Sequence, residues 1–137
     1  MQAIKWAVRH GVDIISISAG FKTCPHELRE AVHQAHSAKI LIFASAANWS
    51  HLNQAAYPAG IKDHVFCIFS TDAGLMNSRG FNPPARGDAD NFAILGEDVD
   101  LPPRTEPVRG TSVATAIAAG FAARILDFGR QSAASTT

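Results

Sequence analysis

The chain has 137 residues, about one domain, and 47% of them are apolar, enough to build a buried core. Its 12 basic and 12 acidic side chains cancel and the basic ones form no run, so nothing electrostatic favours nucleic acid as a partner. No apolar stretch approaches the roughly 20 residues needed to cross a bilayer, which argues against a membrane partner.

In chain order, Ile4, Ala7 and Val8, with Trp6 beside them, predict a helix over 2–10 closed by Gly11. This opening has none of the zones of a signal peptide, which makes the cytoplasm the expected location. Residues 13–18 are rich in β-branched side chains and predict a strand, ended by Ala19-Gly20. Pro25 suits a first helical turn, and Leu28, Ala31, Val32 and Ala35 recur at helical spacing up to Ser37 or Ala38. Residues 39–46 and 65–71 are nearly continuous apolar runs, as in strands buried on both faces. Strands alternating with helices predict an α/β fold with a mostly parallel sheet and helices on its faces. From Gly74 to Pro107 glycines and prolines punctuate an irregular stretch, with one short strand at 92–95. A last helix is expected over 111–128, with Val113, Ile117, Phe121, Ile125 and Phe128 as its large apolar stripe. Residues 131–137 read as a frayed polar tail, and no internal repeat is present.

Gly110-Thr111-Ser112-Val113-Ala114-Thr115 places a serine at the start of that last helix. The first N–H groups of a helix lack intrahelical partners, and the helix dipole adds partial positive charge there. An oxyanion formed by serine attack on a carbonyl would be held well at such a place. The plainer alternative is a serine that only caps the helix. A second element, Ser45-Ala46-Ala47-Asn48, ends a buried strand, where sites form in open parallel sheets. The Asn48 amide and the Ser112 N–H together would make a two-donor oxyanion hole.

With these motifs the chain resembles the subtilisin-like serine proteases, the subtilases. The segment from Gly110 to Thr115 is similar to their nucleophile motif. The segment from Ser45 to Asn48 is similar to their oxyanion element, with Ala47 where glycine is usual. Residues 13–20 resemble the strand that binds substrate backbone, and Trp6-Ala7-Val8 the helix before it. The stretch at Asn91 and the Val-Ala-Thr-Ala form of the motif resemble intracellular fungal members. The resemblance implies a three-layer, subtilisin-like fold and a peptide or protein substrate. It implies Ser112 as nucleophile, Asn48 as oxyanion donor, and Ser18, Ala19 and Gly20 as the strand that pairs with substrate. It further implies Ser45, Ala46 and Ala47 as the oxyanion strand, with Ala46 and Ala47 lining the opposite pocket wall. Phe21 stands where a second glycine is common and would narrow the pocket. Ala116 and Ile117 replace the usual proline and histidine inside the helix, a change of packing.

The family's aspartate and histidine come before its serine, and neither of their motifs occurs here; His10-Gly11 is followed by Val12 and precedes the strand. Residues 1–130 therefore read as the C-terminal part of a catalytic domain whose N-terminal half is missing and is its expected partner. A serine hydroxyl without its base is a poor nucleophile. A triad site so deprived keeps roughly 10³–10⁴ over the water reaction, so this part alone is expected to be inactive. The rival reading is a catalytically dead peptide-binding or interaction module. Nucleotide binding is disfavoured, because no Gly-x-Gly-x-x-Gly turn is present.

Weaker signals are set aside. Cys24 and Cys67 lack metal-type spacing and read as free thiols. His33 and His36 would share a helical face, but no third ligand of suitable spacing is evident, and solvated histidines are the expectation. His26 shares their helix, while His51 and His64 fall in loops. Asp88, Asp90, Glu97 and Asp98 read as solubilising acids, so no cofactor or metal is expected here, calcium being conceivable only in a larger parent. Asn48-Trp49-Ser50 fits a glycosylation sequon. Arg86-Gly87-Asp88 and Asp127-Phe128-Gly129 are taken as chance strings.

Overall fold

The structure, a computed structural model, describes residues 1–49, 54–78, 80–87 and 91–134. His51, Ser50 of the sequon, and Asp88 and Asp90 of the acidic loop lie outside these residues. Seven elements follow in order: α1 (Gln2–Arg9), β1 (Ile14–Ile17), α2 (His26–Ser37), β2 (Leu41–Ser45), β3 (Phe66–Thr71), β4 (Asn91–Leu95) and α3 (Thr111–Ala134). The four strands form one parallel sheet in the order β1-β2-β3-β4. α1 and α2 cover one face and α3 the other, giving the three layers of a subtilisin-like fold.

Strand alternation feeds the two cores. Ile42, Ala44, Cys67 and Phe69 face α1 and α2, where they meet Ile4, Leu28, Ala31, Val32 and Ala35. Phe43 and Ile68 face α3, where they meet Ala114 and Ala119. Both cysteines carry free thiols, and burial raises the Cys67 thiol to about 11. The irregular chain after β3 is pinned by Asn82, whose amide oxygen accepts from the Ser70 N–H at 2.9 Å while its nitrogen donates to the Ser70 carbonyl at 2.6 Å.

α3 departs from expectation in three ways. It runs on to Ala134, so residues 131–134 are helical and not tail. Its expected apolar stripe is largely uncovered: Val113 and Ile117 are half-buried, and Phe121, Ile125 and Phe128 are 60%, 71% and 73% exposed. The helix sits on its alanines instead. Ala114, Ala118 and Ala122 form an i, i+4 ridge about 100° round the helix from the stripe, and small side chains let the axis approach Phe43 and Ile68. Finally, α3 is long and apolar enough to cross a membrane, which corrects the expectation from sequence. Here it is tied to the domain at both ends, to Asn48 at its start and to Asp13 through Arg130 near its finish.

Candidate active site

Three chain segments converge at the carboxyl end of the sheet. β2 ends at Ser45 and leads through Ala46 and Ala47 to Asn48. β4 leads into Gly96, whose N–H donates to the Thr71 carbonyl and whose own carbonyl accepts from the Gly110 N–H at 2.7 Å. This bond delivers Gly110 to the start of α3. Gly110 has φ +126°, a conformation side chains resist, and a Cβ there would lie 2.9 Å from Nδ2 of Asn48. Glycine is required twice over, by the backbone and by the carboxamide that lies across it.

The Asn48 carboxamide caps α3 from across the molecule. Its Oδ1 accepts from the Thr111 N–H and from Thr111 Oγ1, both at 2.9 Å. Two bonds to the oxygen fix which way the amide points. The Val113 and Ala114 N–H groups donate to the Gly110 carbonyl. Two donors are then left over: the Ser112 N–H and Asn48 Nδ2 have no hydrogen-bond partner among the described residues. Ser112 is the second residue of the helix and not its cap.

Ser112 is half-buried, and its hydroxyl has no partner among the described residues. Its carbonyl accepts from Ser18 Oγ at 3.0 Å, which ties the chain just after β1 to the start of α3. Ser18, Ala19 and Gly20 are exposed. Gly20 presses on Ala56, where a Cβ would stand 2.6 Å from the alanine's own. Phe21 pairs antiparallel with Tyr57 through two 2.9 Å backbone bonds, and the Ala56 N–H donates to the Ala46 carbonyl at 2.7 Å. Segments 18–21, 45–48 and 55–57 are thereby laced into one ledge. Phe21 is 49% exposed, so its ring stands at the rim of the ledge.

Of the residues singled out from sequence, Asn48 and Ser18 are hydrogen-bonded to the start of α3, which carries Ser112; Ser45, Ala46 and Ala47 lead into Asn48, and Ala19 and Gly20 follow Ser18. Thr111 and Ala56 were missed. A hydroxyl residue directly after the strained glycine was the available sign of Thr111. Ala56 carried none, since its place depends on a contact between distant segments.

The profile of the subtilase family matches residues 1–136. The chain belongs to the subtilase family. It is 32% identical to the subtilisin-like protease het-Q2 of Podospora anserina, a match covering 92% of this chain and 37% of that protein. Subtilisin DY of Bacillus licheniformis is 28% identical, over 92% of this chain and 47% of its own length. The solved structure of the prenylagaramide maturation protease PagA is similar with a TM-score of 0.82 and 26% identity, covering 96% of this chain and 50% of that one. The chain thus spans half or less of the length of these relatives. In this subtilase Ala116 is exposed and Ile117 half-buried, so the two departures after the motif change the flank of α3 and leave its buried ridge intact.

Proposed function

We propose that this chain is the serine-bearing part of a serine endopeptidase domain, cleaving peptide bonds through an acyl-enzyme on Ser112. The reading is carried by the hydrogen-bond accounting at the start of α3. The Asn48 oxygen is spent on Thr111, and two donors, Asn48 Nδ2 and the Ser112 N–H, are left without a partner among the described residues at the start of α3. Preorganised donors of this kind stabilise the oxyanion of a tetrahedral intermediate. An extended peptide laid along Ser18–Gly20 would add a strand to the open end of β1, bringing its carbonyl to Ser112.

In this reading the general base and its orienting carboxylate come from the rest of the domain, beyond this sequence. The Ser112 hydroxyl lacks a partner among the described residues, which fits a base supplied from outside them. The chain by itself should then show no useful hydrolysis. The test uses a polypeptide that contains the whole domain, treated with a fluorophosphonate probe. The native serine should be labelled and Ser112→Ala should not. Labelling that persists in Ser112→Ala removes Ser112 as nucleophile.

A further inference from the structure

The ledge segments 18–21, 45–48 and 55–57 contain no charged residue. The next residue after the first segment is Lys22, and the next after the second is Trp49. These two meet: the Lys22 ammonium lies over the Trp49 ring, 6.0 Å from its centroid. Lys22 is exposed and forms no ion pair among the described residues. Trp49 is half-buried and directly follows the carboxamide that caps α3. A single cation without a carboxylate thus stands where the two sides of the ledge come together.

A peptide laid along Ser18–Gly20, with its carbonyl at Asn48 Nδ2 and the Ser112 N–H, has the residue of that carbonyl between the two segments. The walls there are neutral and small. Ala46, Ala47 and Ala56 are buried. The Ala56 N–H donates to the Ala46 carbonyl, and Gly20 presses on Ala56 so closely that a Cβ on it would stand 2.6 Å from the alanine's own. Small neutral walls select by size and carry no preference between charges. Any such preference of this ledge comes from Lys22.

We propose that Lys22 makes the ledge select an acidic side chain, glutamate above its neutral isostere glutamine, at the substrate residue whose carbonyl is attacked, an inference that rests on the endopeptidase reading and names its substrate class. The present contact is at the outer limit of a cation–π attraction, so it steers the ammonium without holding it. A substrate carboxylate offers the same ammonium a charge-assisted hydrogen bond, which is stronger. The Trp49 ring keeps the ammonium over the ledge and shuts out water on one side. A basic substrate side chain in the same place meets like charge and is rejected.

The test uses a polypeptide that contains the whole domain. Its substrates are N-blocked peptides carrying a coumarin amide directly after Glu, Gln or Lys, which fixes the scissile bond. Calorimetry on the Ser112→Ala domain reads binding without cleavage, and kcat/KM of the native domain reads the reaction. In both, Glu should be favoured over Gln by about three- to tenfold, as for a partly exposed charge-assisted pair. The preference should shrink as salt is raised. Lys22→Gln should abolish it, and Lys22→Glu should turn the order to Lys over Glu. Arg9→Gln on α1 should retain it. These are ratios within one variant, so a partial loss of folded protein does not imitate them. Equal binding of Glu and Gln peptides, no binding of either, or a preference that survives Lys22→Gln overturns the proposal. A Lys22-dependent preference in binding without turnover by the native domain sinks the endopeptidase reading and leaves the charge preference standing; turnover with no preference does the reverse.

Discussion

Ala47 holds φ +120°, a region where a Cβ is strained, directly before the residue whose carboxamide caps α3. The neighbouring Asn48 contacts over-determine this backbone and keep the strain in place. Ala47→Gly should therefore stabilise the fold by about 1 kcal/mol, the relief of strain outweighing the added freedom of the unfolded chain. Gly110→Ala should act in the opposite direction, by about 2 kcal/mol or more, since it adds both strain and a clash with Asn48 Nδ2. Urea unfolding of the two variants checks the pair; a destabilised Ala47→Gly contradicts the strain argument. At this scale much of the site was legible in the sequence. Gly110, Ser112 and Asn48 announced themselves by residue type and by their places at a helix start and a strand end. The use of the Asn48 oxygen as a cap was not legible, because the Thr111 donors that claim it lie 63 positions away.

The elements were readable where one period dominated: β2 and β3 as apolar runs, α2 by its i, i+3, i+4 spacing. α3 was misjudged because its sequence holds two candidate faces, and choosing between them needs the sheet's own relief. With Phe43 and Ile68 protruding, only the alanine face fits closely. Its length was missed because Arg130 finds its partner, Asp13, at the foot of β1. Two bonds join them, Nη1 to Oδ2 at 2.9 Å and Nη2 to Oδ1. The hydrogen bond from Arg130 is the first cause holding the Asp13 carboxyl below its ordinary value. A depressed carboxylate contributes stability that is present above the unfolded aspartate value, about 3.9, and lost as pH falls through the lower folded value. Both side chains are exposed, so the contribution is small. Unfolding midpoints measured from about pH 5 down to about pH 2 should fall less steeply in Arg130→Ala than in the native protein. Parallel curves would show that the pair contributes nothing.

Taken whole, the molecule leaves large apolar side chains uncovered. Phe121 and Ile125 of α3 join Phe66 and Phe92 in an apolar groove beside β4, and among the described residues β1 and β4 each pair on one side only. Surfaces of this kind associate. Dilute solutions of the chain by itself should therefore aggregate, or should be stabilised by adding the remaining part of the domain. A sharp two-state thermal transition in a monomer would contradict that. That apolar surface is exposed follows from a sequence that matches only part of a domain; which side chains carry it does not, because a hydrophobic stripe looks the same whether or not another segment covers it. The most direct measurement of the central claim is made on the assembled domain: steady-state kinetics of Asn48→Ala on a peptide substrate. If Asn48 Nδ2 and the Ser112 N–H hold one oxyanion, kcat should fall about 10²–10³-fold while KM stays nearly constant. An unchanged kcat would mean that the two donors left free at the start of α3 do not act on the reacting carbonyl.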